Sequence, residues 1–188
     1  MAALDALLDE IKQKATAYHE EAKKIRHFIH AHPELSFHEK ETASFISQKL
    51  LQYGIAHQCN VGGYGIVGFI KGEMPGNKVI ALRADMDALP IQEQNETVYK
   101  STNAGVMHAC GHDVHSTSLL ITAKILMEMR QHFGGTIKLI FQPAEEKLPG
   151  GAGVMIANGI LENPKPDAVF ALHVFPTLEF GKVGFREG

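Results

Sequence analysis

Apolar residues along the chain alternate between helical spacing and short strand-like runs, and this alternation constrains the fold more than any other feature. Apolar side chains recur every three or four residues in three segments, 4–29, 39–53 and 114–132, which predicts amphipathic helices. Runs rich in β-branched or other apolar residues are found at 65–70, 78–83, 136–141 and 168–174. Such alternation favours an α/β fold, with a mixed, largely parallel sheet flanked by helices on both faces.

The same patterns predict where individual elements end and pair. The first helix should be one long element that stops near His32, because a residue before proline is pushed out of the helical region. A turn-forming segment separates the runs at 65–70 and 78–83, which predicts a hairpin or two neighbouring strands. A short helix at 151–158 and a last strand at 182–185 complete the expected elements.

Composition and charge exclude several classes of function. The chain is 45% hydrophobic and 21% charged, which is close to the globular average and predicts a packed core. A net charge of −3 provides no basic field for nucleic acid and no polybasic membrane patch, and no apolar run is long enough to span a bilayer. The first residues lack the order of a signal peptide, and two cysteines cannot form a disulfide framework. We therefore expect a cytoplasmic protein without nucleic-acid or membrane partners.

Polar side chains follow the predicted strands, which is where α/β folds tend to place their sites. The segments 83–90, 107–115 and 141–146 contain acidic residues, histidines or a cysteine beside a strand end or a helix start. His173 lies at the end of a further apolar run. These three segments and His173 are the candidate functional positions. The chain contains 11 histidines in total.

Cys110 and His112 form the first candidate pair. Two residues apart, they can point the same way, and Gly111 between them lets the backbone turn closely around an ion. A thiolate and an imidazole suit zinc, and imidazole also binds manganese, cobalt or nickel. Two other interpretations stay open for this pair alone: an ordinary buried thiol beside helix-capping histidines, or a cysteine nucleophile with His112 as its base.

The adjacent carboxylates Glu145 and Glu146 follow an apolar strand and form the second candidate pair. Alone they could be a solvated surface pair, and His173 alone could be a core or surface histidine. Together, Cys110, His112, Glu146 and His173 offer sulfur, nitrogen and oxygen ligands from successive strand ends, and Glu145 remains free as a general base. Four ligands and a base suit two neighbouring metal ions better than one open tetrahedral zinc site.

Five segments of the sequence resemble those of a known enzyme family. They are His-Pro-Glu-Leu-Ser-Phe (32–37), Arg-Ala-Asp-Met-Asp-Ala-Leu-Pro (83–90), Met-His-Ala-Cys-Gly-His-Asp-Val-His (107–115), Phe-Gln-Pro-Ala-Glu-Glu (141–146) and Ala-Leu-His-Val (171–174). The family is that of the N-acyl-amino-acid amidohydrolases, a branch of the zinc-exopeptidase-like metallohydrolases. This branch includes hippurate hydrolase, plant auxin-conjugate hydrolases and N-acetyldiaminopimelate deacetylase.

The resemblance implies an activity and a site. The activity is hydrolysis of the amide bond of N-acetyl-, N-benzoyl- or related amino acids to a carboxylic acid and an amino acid. The site holds two divalent ions (manganese, zinc, cobalt or nickel) on four ligands, Cys110, His112, Glu146 and His173. Glu145 is implied as the residue that activates water and then protonates the departing amine. The partner is a small N-acyl amino acid, and the full-length protein is expected to be a homodimer or homotetramer.

Further residues are expected to support the ligands. Asp87 should orient a ligand, and Asp113, His108 and His115 are weaker candidates for the same role. Asp85 stands where more distant relatives have a histidine ligand, so no metal is assigned to it.

The resemblance also bears on domain organisation. Family members carry another histidine ligand near their C-terminus and insert a lid or dimerisation domain. Residues 1–188 are therefore expected to be the N-terminal part of a catalytic domain, without those two parts and inactive by themselves. The alternatives are a non-catalytic metal-binding or interaction module and, less favoured, a Cys110 thiol hydrolase.

Overall fold

The computed structural model describes residues 2–185, and their side chains from residue 4 onward. The helices in this range are α1 (Ala2–Ala17), α2 (His19–Ala31), α3 (Lys40–Gln52), α4 (His112–Glu128) and α5 (Gly151–Ala157). The strands are β1 (Ala56–Gln58), β2 (Ile66–Lys71), β3 (Met74–Asp85), β4 (Gly134–Gln142) and β5 (Ala168–Ala171). No helix among the described residues is long and apolar enough to cross a membrane.

The five described strands form one mixed sheet in the order β1-β2-β4-β3-β5. β2 runs antiparallel to β1 and β4, whereas β3 runs parallel to β4 and β5. This arrangement confirms the predicted mixed α/β sheet. Because β3 and β4 are parallel neighbours, their carboxyl ends meet at one edge, where Asp85 lies opposite Gln142.

The predicted pairing of the runs at 65–70 and 78–83 is wrong, since β4 lies between β2 and β3. The connection between them passes around the start of β4, where the N–H of Gly72 donates to the oxygen of Gly135 at 2.9 Å. A Cβ atom on Gly72 would lie 2.2 Å from the oxygen of Phe133, so only glycine fits this approach. Parallel neighbours need a crossover, and α4 provides it between β3 and β4.

Helices cover both faces of the sheet, as predicted. On one face α2, α3 and α4 share a core with the sheet that includes the fully buried residues Ile29, Ile46, Leu120, Leu139 and Phe141. On the other face Met155 of α5 packs with Val67 and Ile140. Because β3, β4 and β5 are parallel neighbours, the polar loops that follow them lie at the same edge of the sheet.

Two other predicted elements differ in the structure. The long first helix is divided into α1 and α2 at Tyr18, whose φ of −92° and ψ of 5° interrupt the helix. One interrupting residue leaves the apolar spacing almost unchanged, so the spacing alone could not predict the break. Residues 182–185 form no strand in the described part of the chain, and Val183 and Phe185 are exposed. The predicted stop near His32 is confirmed, since α2 ends at Ala31.

Glu34, in the segment before α3 (32–39), contacts both α3 and the loop after β3. The Glu34 carboxylate accepts hydrogen bonds from the backbone N–H groups of Thr42 (2.8 Å) and Glu41 (3.1 Å). These N–H groups lie in the first turn of α3 and have no partner within the helix. The oxygen of Glu34 also accepts the N–H of Ala88, at 2.8 Å, which ties the segment to the loop after β3.

Candidate metal centre

The loops after β3, β4 and β5 and the start of α4 bring the five predicted site residues together. Cys110, His112 and His173 each offer one ligand atom within 4.8 Å of the others, and His112, Glu145 and Glu146 form a second such group. Cys110 Sγ lies 3.4 Å from His173 Nε2, and His112 Nε2 lies 3.7 Å from Glu146 Oε1. His112 belongs to both groups and therefore links them. The five residues together are called the centre.

One ring nitrogen of His112 is hydrogen-bonded, and the other has no hydrogen-bond partner among the described residues. Nδ1 lies 2.9 Å from the backbone oxygen of Asp87 and 3.1 Å from its Oδ1. Both partners are acceptors, so the ring proton is on Nδ1 and a lone pair is left on Nε2. Nε2 is buried, and it makes no hydrogen bond with the described residues. A buried imidazole nitrogen without a partner, beside carboxylates, is what a metal ligand requires.

Asp87 contacts both sides of the centre. Besides His112, its carboxylate accepts the Ser36 hydroxyl at 2.6 Å and the Glu146 N–H at 3.0 Å, both through Oδ2. Burial alone would raise the pKa of Asp87, but hydrogen bonds from His112, from Ser36 and from the N–H groups of Glu146 and Glu145 lower this pKa to about 2. An ionised Asp87 thus holds one predicted ligand by its ring and another by its backbone.

The centre is strongly negative. Burial, a hydrogen bond with Glu146 and the charges of Glu146, Asp85 and Glu145 together raise the pKa of the Cys110 thiol to about 11. Such surroundings disfavour a Cys110 thiolate in the absence of a cation, and they favour a bound cation that would offset the carboxylates. Sulfur, imidazole and carboxylate donors fit zinc or a similar divalent ion.

Asp85 and His115 lie beside the centre but have their polar atoms occupied. Asp85 accepts His115 Nδ1 at 2.7 Å through Oδ1 and Arg83 Nη1 at 2.7 Å through Oδ2. His115 Nε2 accepts the N–H of Val174 at 3.0 Å. Asp85, His112 and His115 could also group around an ion. Because its ring nitrogens are both bonded, His115 instead fixes the backbone that follows His173.

Asp113 is not brought to the centre. Its Oδ2 accepts His30 Nδ1 at 2.8 Å and Arg26 Nε at 2.8 Å, and His30 Nε2 lies 3.1 Å from Glu93 Oε1. Successive residues of an α-helix point about 100° apart, so Asp113 faces α2 whereas the preceding His112 faces the centre. The structure corrects the expected role of Asp113: it belongs to a separate buried ionic network.

His108 is also separate from the predicted ligands. It is 4% exposed, and neither ring nitrogen has a hydrogen-bond partner among the described residues. Burial lowers the pKa of His108 to about 4. Its expected supporting role finds no contact in the structure. His108 and Arg26 instead line a cleft of about 510 Å³ that reaches Cys110 and His173.

Residues of the segment before α3 support the centre and were not identified from the sequence. Ser36 donates to Asp87, and Glu39 Oε1 accepts the N–H of Ala144 at 2.7 Å. Both side chains are buried. The signal that could have found Ser36 is its position within the segment 32–37, one of the five that carry the family resemblance.

Comparison with known proteins identifies the family. Residues 81–188 match the model of peptidase family M20/M25/M40. The chain is 43% identical over 182 residues to the N-acyl-L-amino acid amidohydrolase of Geobacillus stearothermophilus, covering 97% of this chain and 46% of that protein. It is 50% identical over 156 residues to the hippurate hydrolase of Campylobacter jejuni, covering 83% of this chain and 40% of that protein.

The fold matches a solved structure of the same family. This is the Bacillus subtilis protein YXEP, named a dinuclear metal binding peptidase from the M20 family, with a TM-score of 0.86 and 41% identity. The match covers 92% of this chain and 48% of that one. The chain thus spans less than half the length of each of these three relatives. The resemblance found in the sequence is confirmed: the chain belongs to peptidase family M20/M25/M40.

Proposed function

We propose that the protein carrying this chain hydrolyses the amide bond of N-acylated amino acids and releases a carboxylic acid and an amino acid. The observation that carries the proposal is the free, buried Nε2 of His112, which is shared by two groups of potential ligands. The names of two relatives, an N-acyl-L-amino acid amidohydrolase and a hippurate hydrolase, support this class of substrate.

The proposed metal ligands are Cys110, His112, Glu146 and His173. A relative named a dinuclear metal binding peptidase supports two divalent ions, for which manganese, zinc, cobalt and nickel are the candidates. When bound, these ions would polarise the scissile carbonyl group and make a water molecule more acidic. Asp87 would keep His112 in the tautomer that leaves Nε2 available.

Glu145 is the proposed acid and base. Its side chain is exposed at the centre, within 4.8 Å of ligand atoms of His112 and Glu146. The side chain makes no hydrogen bond with the described residues, so its carboxylate can accept a proton from water and pass it to the departing amine. Glu146, the next residue, differs because its Oε1 lies 3.7 Å from His112 Nε2.

We also propose that this chain is the N-terminal part of a longer catalytic domain. The relatives, of which it spans 40–48%, support this. In the complete protein, a further histidine ligand and a lid or dimerisation domain would lie beyond the 188 residues. A small N-acyl amino acid as partner, assembly as a homodimer or homotetramer and a cytoplasmic location belong to the same proposal.

The test uses the protein in its natural length, stripped of metal with a chelator and reloaded with manganese, zinc, cobalt or nickel. We expect about two ions per chain and hydrolysis of N-acetyl or N-benzoyl amino acids only after reloading. Glu145→Gln should keep its metal and lose about 10²–10⁴-fold in kcat. Normal turnover by this variant would contradict the role of Glu145.

The alternatives give different results in the same assay. A thiol hydrolase would be inactivated by an alkylating reagent and would not respond to chelators. A metal-binding module would bind the ions and hydrolyse nothing. Residues 1–188 alone should bind metal weakly and show little turnover, and activity equal to that of the natural-length protein would contradict the proposed domain organisation.

A further inference from the structure

We infer that Glu39, in the segment before α3, is a positioning residue that directs Glu145 into the metal centre by holding the backbone of Ala144. Glu39 lies far from Glu145 in the sequence and makes no hydrogen bond or ion pair with any of the four proposed ligands among the described residues. The inference rests on the proposed function, in which Glu145 handles the proton.

The backbone of Ala144 adopts a conformation that needs support. Its φ is +49°, in the left-handed region that residues with a side chain adopt only at an energetic cost. Such a residue persists where its surroundings determine its conformation. Two hydrogen bonds do so here: the N–H of Ala144 donates to Glu39 Oε1 at 2.7 Å, and the oxygen of Ala144 accepts the N–H of Gly151 at 2.8 Å.

Glu145 lies between two separate anchors. On one side Ala144 is held by Glu39, and on the other Asp87 holds the N–H of Glu146 at 3.0 Å and also attracts the N–H of Glu145. Loss of the Glu39 contact would release Ala144 toward a right-handed conformation and turn the following residue. Glu146 would keep its own anchor, so the direction of Glu145 should change while metal binding persists.

The environment of Glu39 is compatible with a neutral side chain that accepts one hydrogen bond. The residue is 0% exposed, and its Oε2 atom has no partner among the described residues. Burial raises the pKa of Glu39 against the opposing effect of backbone N–H groups, and the charge of Asp87 adds to the increase. An amide side chain, which is neutral and carries an oxygen acceptor, can therefore replace the carboxyl group.

The test compares Glu39→Gln with Glu39→Met in the natural-length protein. Gln keeps the acceptor for Ala144, whereas Met has a similar volume and no oxygen. E39M should lose about 100-fold in kcat, the effect of misplacing a reacting group by an ångström or so, with KM and bound metal unchanged. E39Q should keep kcat close to the parent value. Glu41→Met, which removes an exposed carboxylate from the same region, is the control.

Wild-type kcat in E39M, or an equal loss in E39Q, would overturn the inference. A loss of kcat that merely follows a loss of metal would overturn it too. If E39M does not fold, Glu39→Asp gives the same test, because its carboxyl group is one methylene too short to reach Ala144. Full kcat in E39D would then refute the role.

A second readout separates this inference from the proposed function. If the parent protein hydrolyses no N-acyl amino acid, the proposed function fails, but amide hydrogen exchange over residues 142–151 still reports on Ala144. Exchange of that amide should be faster in E39M than in E39Q. Equal exchange in the two variants would overturn the inference whatever the activity.

Discussion

Oδ1 and the backbone oxygen of Asp87 both face Nδ1 of His112, at 3.1 Å and 2.9 Å. One residue therefore provides both acceptors that keep the proton on Nδ1. The same carboxylate also accepts the N–H of Glu146. The loop after β3 thus positions one proposed ligand on α4 and another after β4, although it supplies no proposed ligand itself.

Asp87→Ala should weaken metal binding by about 10–100-fold, because the ring of His112 loses its side-chain partner and the Glu146 backbone its anchor. Affinity can be measured by competition with a coloured chelator. Asp9→Ala, which removes an exposed carboxylate from α1, is the control. Unchanged affinity in the Asp87 variant would show that the backbone oxygen alone orients His112.

Gly111 is the last residue before α4. Its replacement should move His173 away from Cys110 and His112. A Cβ atom there would lie 2.4 Å from Cγ2 of Val174, next to His173, and φ is +88°. We expect Gly111→Ala to displace the segment that carries His173 and to lower the metal content. The left-handed backbone alone should cost about 1–2 kcal/mol of unfolding free energy.

Gly105→Ala is the matched control, because φ is +76° and no atom lies within 4 Å of its Cβ position. It should lose a similar backbone contribution in urea unfolding and keep its metal. Equal metal content in the two variants would contradict the importance of the contact between Gly111 and Val174.

The candidate site could be predicted from the sequence because its residues lie close after a strand or at the start of a helix. Cys110 and His112 are two residues apart at the start of α4, and Glu145 and Glu146 lie in the loop after β4. Strand ends that share one sheet edge bring such residues together whatever the detailed strand order. The position of β4 between β2 and β3, by contrast, depends on packing across the sheet, and the turn-forming segment between the two runs did not reveal it.

Supporting residues were harder to predict because their roles depend on which way a side chain points or on contacts with distant parts of the chain. His112 and His115 share a helix face, and Asp113 could have been placed on another face from helical spacing alone. Glu39 and Ser36 reach the centre from a segment far away in the sequence. Burial of a lysine was equally hard to predict. Neither the spacing of apolar residues nor the composition indicates that Lys138 of β4 is buried.

Lys138 is 1% exposed, and Nζ donates to the backbone oxygens of Ile160 (2.8 Å), Glu162 (2.9 Å) and Pro164 (2.7 Å). All three ammonium protons are thus bonded to the connection between α5 and β5. Lys138→Met should lower the free energy of unfolding by about 2 kcal/mol, since these are hydrogen bonds from a charged donor. Urea denaturation measures the change.

Lys71→Met is the control for Lys138, because Lys71 lies on β2 with an exposed side chain. The control should change stability little. A Lys138 variant as stable as the Lys71 variant would show that the three carbonyl contacts contribute nothing net.

The ionic network around His30 should make stability depend on pH. The hydrogen bond with Asp113 raises the pKa of His30, burial lowers it, the contact with Glu93 raises it again, and the net direction is upward. A raised folded-state pKa means that the folded chain holds the proton more tightly than the unfolded one. The contribution of His30 is therefore fully present below the unfolded value of about 6.5 and is lost as pH rises through the folded-state pKa.

His30→Gln should accordingly cost more stability at pH 6 than at pH 9, about 3 kcal/mol at the lower pH, because it leaves the carboxylates of Asp113 and Glu93 without their buried partner. Arg26 still contacts Asp113 in the variant, and His108 is the other titratable ring nearby. Urea unfolding at the two pH values measures the difference, with exposed His19→Gln as control. An equal cost at both values, or a larger one at pH 9, would mean that His30 is not held as the cation.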